Sequence, residues 1–131
     1  MGLILEQNIQ KKVTGNMENI NLLIKGAFLF LVGQSLVFYQ INGQFFWETS
    51  KKYPVMMSLL GVPISFVYIY ATKYTVEAFD GSLWPQRLIG FAVGIVSFTF
   101  LTYYHLGEPI TLKAGVTLLL AFIIVLIQIF Y

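Results

Sequence analysis

Few side chains here could do chemistry, and they fall in three places. The first is the stretch HLGEPITLK, residues 105–113, where the single histidine, His105, stands at i, i+3 spacing from Glu108. An imidazole beside a carboxylate is material for proton transfer or for two ligands of a metal. Gly107 and Pro109 interrupt any helix through that stretch, so the two groups do not share a helical face. The second place is Lys73, Glu77 and Asp80, whose spacing makes either a cation-attracting vestibule or a solvated ion-pair cluster at a helix end. The third is a set of neutral polar residues inside otherwise apolar runs: Gln34, Ser35, Ser65, Ser97 and Thr99. Such groups line a polar pathway or hydrogen-bond between helices. With no cysteine and one histidine, neither a metal site nor a catalytic constellation is expected, and no cofactor is called for.

The elements that carry these residues follow from composition. Hydrophobic residues make up 57% of the 131, charged residues only 11%, and the mean hydropathy is +0.75. Soluble domains carry roughly 25% charged residues, so water is the wrong solvent for most of this surface. The charges leave four free runs, Gly26–Trp47, Tyr53–Thr72, Leu88–Gly107 and Ala114–Tyr131. Crossing about 30 Å of hydrocarbon takes roughly 20 mainly apolar residues in a helix, and none of the runs alternates as a barrel strand would. The expectation is an all-α polytopic membrane protein. Its transmembrane domain occupies 21–131, with spans at about 22–41, 54–73, 87–105 and 110–130. Residues 1–20 form a leader, interfacial or disordered, with Gly15 and Asn16 breaking its helical pattern.

Within the spans the small residues are placed to set the packing. Gly26 and Gly33 are seven apart and fall on nearly one face, and Gly90 and Gly94 form a GxxxG pair. Gly115 marks a face of the fourth helix. Pro63, in the GVP stretch, predicts a bend in the second span, and Gly81 predicts its left-handed stop. Phe66, Tyr68, Phe98 and Phe100 are candidates to line a cavity, although packing is the commoner use of such residues. Glu108 reads as the cap of the fourth helix, its carboxylate meeting unpaired N–H groups; the alternative is a gate on a solute path.

The segment GEPITLKAGVTLLLAFIIVLIQ resembles the last hairpin of the drug/metabolite transporter superfamily, which includes the four-helix small multidrug resistance proteins. Gly107, Glu108, Thr111 and Gly115 match that pattern, and AFDG at Ala78–Gly81 is similar to a small-residue segment ending a helix in that group. The resemblance implies a homodimer or other homo-oligomer that moves an organic solute or metabolite. The chain departs from the family in two places. It has no carboxylate between Lys25 and Glu48, where the small multidrug resistance proteins keep an essential glutamate, and Gln34 is the nearest polar substitute. Phe122 stands where a second small residue is common.

The partners expected are the lipid bilayer, a second copy of the chain and a small organic solute; scattered basic residues exclude a nucleic-acid groove. A non-transporting accessory or scaffold subunit is the alternative function. Four spans put both ends on one side, with Lys11, Lys12, Lys25, Lys73 and Arg87 there against Lys51, Lys52 and Lys113 opposite. That excess favours a cell-membrane protein with cytoplasmic termini, and without Lys11 and Lys12 the counts are equal, which leaves dual topology open. Cysteine-accessibility labelling of the two chain ends should find them on the same face of the membrane; labels on opposite faces in one population would refute four spans.

Overall fold

The computed structural model describes residues 2–130, and their side chains except at 10–16. The elements are helix α1 (Gly2–Asn42), a 3₁₀ turn (Gly43–Phe45), α2 (Glu48–Lys52), α3 (Pro54–Leu59), α4 (Gly61–Ala78), α5 (Trp84–Leu106) and α6 (Leu112–Phe130). No strand occurs among the described residues. Four stretches are long and apolar enough to cross a membrane: Met17–Phe45, Pro54–Ala78, Trp84–Leu106 and Leu112–Phe130. This is an all-α, multi-pass membrane architecture.

α1 corrects one expectation. Its 41 residues run without a stop through Gly15 and Asn16. A glycine inside a helix costs about 1 kcal/mol, too little to end a helix that continues on both sides without proline. The side chains of Lys11 and Lys12, which the orientation count uses, lie outside the described ones. At 1.5 Å per residue α1 is about 60 Å long, roughly twice the hydrocarbon thickness, so its N-terminal part extends beyond the span.

The second span breaks where its proline requires. Pro63 has no N–H and its ring would meet the carbonyl of Leu59, so α3 ends at Leu59 and α4 begins at Gly61. A side chain from α1 covers the break: Gln40 donates from Nε2 to the Met57 carbonyl at 3.0 Å. At the other end, Gly81 N–H reaches the Val76 carbonyl at 2.9 Å and Asp80 N–H the Glu77 carbonyl at 3.2 Å. This is a Schellman stop, with Asp80 taking the first left-handed position (φ 56°) and Gly81 the next (φ 91°). The expected glycine stop is therefore shared with an aspartate, one of the few residues that tolerate that conformation.

α1 is the central helix, held between α4 and α5, and α6 rests on the outer side of α5. The registers are read from paired residues. Gly26 faces Thr75 and Gly33 faces Tyr68, so α1 and α4 are antiparallel. Gly90 meets Phe30 and Ser97 meets Ser35, so α1 and α5 run parallel. Small residues make the α1–α4 contact close: Ala71 and Thr75 are both 0% exposed, one turn apart on the face that Gly26 touches.

That contact should be the least tolerant of added volume. A Cβ at Gly26 would run into the Thr75 hydroxyl and lie 3.0 Å from the Thr75 amide nitrogen and 3.1 Å from the Ala71 carbonyl oxygen. Gly26→Ala should lower stability by about 1–3 kcal/mol, the usual cost of overpacking. Gly115→Ala, with nothing within 4 Å of its Cβ, should be neutral or gain up to about 1 kcal/mol from helix propensity. Unfolding of the two variants in mixed micelles checks the pair, and equal stabilities would refute the close approach.

Candidate functional site

The neutral polar residues of the spans divide into two groups. Gln34, Ser35 and Ser97 come together where α1 meets α5. Gln34 donates from Nε2 to the Gly90 carbonyl at 3.3 Å, and its amide packs where Gly94 has no side chain. Ser35 Oγ donates to the Leu31 carbonyl at 2.8 Å and lies 3.0 Å from Ser97 Oγ. A hydroxyl has one proton, so Ser97 is the donor in that pair. Ser65 and Thr99 do not join them. Ser65 Oγ folds back on the Gly61 carbonyl at 2.6 Å, exposed on α4, and Thr99 Oγ1 on the Ile95 carbonyl at 2.9 Å. Thr102 is buried with no hydrogen-bond partner for its hydroxyl among the described residues.

Gln34 also forms the inner end of a cleft of about 420 Å³ between α1, α4 and α5. Tyr68 and Thr72 line it from α4, Gln86 and Arg87 from α5, over a floor that includes Phe30. Arg87 lies in the first turn of α5, so the cleft opens at the end of the helices where α4 stops and α5 begins. The i, i+4 spacing of Tyr68 and Thr72 puts both on the same face of α4. Sequence reading singled out Gln34 as a pathway residue and Tyr68 as a cavity residue. It missed Thr72, Gln86 and Arg87, because nothing local says which face of a helix end turns inward. Phe66 and Phe100, expected as cavity residues, are instead 61% and 68% exposed and turn outward. The physical reason is that the enclosed faces of α4 and α5 are taken by small and polar residues.

Two other depressions differ in character. One, of about 350 Å³, is almost wholly apolar, lined by Ala27, Leu31, Ala92, Val96, Ala121 and neighbours from α1, α5 and α6. The other, of about 500 Å³, lies along α5 and α6 and includes Gln34, Thr99 and Thr117. Gln34 thus reaches both a polar cleft and a mainly apolar groove.

His105 has a packing role at the opposite end of the bundle. Its Nε2 shares a hydrogen bond with the Tyr39 hydroxyl at 2.9 Å, and its ring stacks on Phe46 with centroids 4.3 Å apart and planes within 8°. Phe38, Trp47 and Tyr104 surround it at 6.2, 5.9 and 4.9 Å. The cluster fastens the end of α5 to the turn after α1. In the second charged cluster Lys73 makes a ring contact: its ammonium and that of Lys25 stand 6.0 and 5.9 Å from the Tyr74 ring centre. Among the described residues no three His, Cys, Asp or Glu side chains gather as a metal site would require.

Glu108 is not the cap of the last helix. α6 starts at Leu112, and Thr111 is its cap: the Ala114 N–H donates to Thr111 Oγ1 at 3.2 Å and the Gly115 N–H to the Thr111 carbonyl at 2.8 Å. Gly107, at φ 68°, closes α5 with its N–H on the Tyr103 carbonyl at 3.0 Å, and Glu108 then stands exposed in the connection. A threonine immediately before the helix reaches the third N–H with a short side chain, whereas Glu108 stands three residues too early. The small-residue candidates divide likewise. Gly90 and Gly94 are covered within the chain by Phe30 and Gln34, and Gly115 has nothing within 4 Å.

No family model, no curated protein and no solved structure matches this chain.

Thr111→Ala should cost about 1 kcal/mol, the usual worth of such a cap, whereas Glu108→Ala should stay within about 0.5 kcal/mol of the parent. Detergent unfolding curves of the two variants check this, and the reverse order would restore Glu108 as the cap.

Proposed function

We propose that this chain is a small transporter-like protein of the cell membrane, which takes a small solute into the α1–α4–α5 cleft and acts as a homo-oligomer. The observation that carries the reading is the cleft itself: three spans converge on a volume typical of ligand sites, with polar groups from each of them. Its inner end is Gln34, whose amide sits at the α1–α5 contact and lines depressions on two sides of it. A residue in that position can hand a solute from one to the other. The resemblance of the last hairpin to drug/metabolite transporters supports the same reading. The Lys and Arg bias favours the cytoplasmic side for the cleft mouth and both termini.

α6 favours assembly. It is the most apolar span, and Ala121 is its one buried residue among those described. Its outer face meets lipid or another protein, and Gly115 leaves room there for close approach. The same exposed face is what favours the second reading, a non-transporting accessory subunit that docks on a larger membrane protein.

Proteoliposomes carrying the protein should take up at least one member of a labelled panel of small anionic, cationic and neutral metabolites faster than protein-free vesicles. Gln34→Leu should remove most of that excess while the protein stays folded. Equal uptake with and without protein across the panel, together with a larger protein co-purifying in stoichiometric amount, would replace transport with the accessory role.

A further inference from the structure

The chemistry of the cleft specifies the charge of what it holds. Among the described residues Arg87 is its one charged lining residue, and neither Asp nor Glu lines it. A guanidinium stays ionised throughout the physiological range and presents a planar fork of donors matched to two oxygens of one anion. The remaining polar lining is neutral and rich in donors. The hydroxyls of Ser65, Thr75 and Thr99 fold back on a carbonyl one turn earlier. Those of Tyr68 and Thr72 make no hydrogen bond among the described residues and remain available to a ligand. The Gln86 amide adds two more donors at the mouth.

The start of α5 adds to this. Leu83, the residue before the helix, supplies no side-chain cap, and Pro85 falls in the first turn. The N–H groups of that turn are left without a capping side chain at the same end of the helix as Arg87, where the helix dipole favours negative charge. The volume, about 420 Å³, admits an oxyanion together with a small organic group.

We propose that the α1–α4–α5 cleft is a phosphate-type oxyanion site, with Arg87 holding two oxygens and Tyr68 and Thr72 donating to the others. This rests on the reading of the cleft as a solute site and narrows it to anions, excluding organic cations. A cation there would face Arg87 with no carboxylate to offset the repulsion. The same phosphate chemistry is offered by a soluble phosphate ester and by an anionic lipid headgroup reaching in from the interface.

The test separates the two sources. Purified protein in a neutral maltoside detergent is titrated calorimetrically with inorganic phosphate, glycerol 3-phosphate and tetramethylammonium. In parallel, protein in phosphatidylcholine nanodiscs with and without phosphatidylglycerol is examined by native mass spectrometry for retained lipid. Saturable binding of either phosphate compound identifies a soluble ligand; retention of phosphatidylglycerol alone identifies the headgroup. In whichever arm is positive, Arg87→Gln should weaken binding by about tenfold or more, the loss of a charge-assisted contact. Tyr68→Phe, which keeps the ring and its packing, should weaken it less. Circular dichroism and a monodisperse elution profile confirm that each variant is folded. No binding in either arm, or saturable tetramethylammonium binding in the wild type, overturns the proposal. So does anion binding that both variants leave unchanged. Anion binding without flux would retain the site and refute transport; flux of a cation without anion binding would do the reverse.

Discussion

The close approach of α1 to α4 at Gly26 sets the geometry of everything else. In a bilayer the hydrophobic effect does not press helices together, so association depends on how well their surfaces fit. Gly26 and Gly33 lower one face of α1, and Ala71 and Thr75 lower the facing side of α4, whose backbone can then come within contact distance. With α1 fixed there, its other face carries Phe30 and Gln34 out to α5, which receives them at Gly90 and Gly94. Large residues on α1 meet small ones on α5, and small ones on α1 meet small and aromatic ones on α4. Widening the first contact would shift Gln34 and with it the inner end of the cleft.

Most serine and threonine hydroxyls within the spans are satisfied locally, Thr72 and Thr102 apart, which limits what the protein can do with them. An unpaired polar group in hydrocarbon costs several kcal/mol, and most of the hydroxyls answer this by bonding back to their own helix. The two glutamines that reach between helices are different, because each donates to a backbone carbonyl of a neighbouring helix. Gln40 covers the break that Pro63 imposes, and Gln34 meets Gly90. No ionised group lies at the centre of a span, and the charge that lines the cleft stands at its edge, on Arg87. On the proposed reading, a ligand is captured at the interface and passed inward over neutral donors.

How much of this the sequence revealed follows from whether the signal was local. The four spans were legible because charges are excluded from hydrocarbon wherever the chain folds. The bend at Pro63 was legible because ring and missing N–H act on the residue's own turn. Gly26 and Gly33 were legible as a shared face, though not their partner. Glu108 was misassigned because a carboxylate near a helix start is a good cap in general, while the true start depended on where Gly107 released α5, four residues before Thr111. The break at Gly15 and Asn16 was misread because one glycine weighs little against a helix continuing on both sides. The box around His105 had a signal that went unused. Aromatic residues cluster at the end of α1 and at the end of α5, and parallel helices bring those two ends together.

The position of α6 divides the molecule by task. α1, α4 and α5 make the cleft, and each contributes both a close contact and a polar group to it. α6 contributes neither. It is nearly all aliphatic, held to α5 around Ala121, and its remaining surface faces away. A helix that built the binding site would have to keep polar groups and pay for their burial. One that only meets lipid or another protein needs apolar side chains and a place for close approach, which Gly115 supplies. α5 is the helix common to both parts, and Gln34 also shares a groove with Thr117 of α6. The rigidity of the Phe30–Gly90 and Gln34–Gly94 contacts therefore helps set how strongly events at the outer face are felt in the cleft.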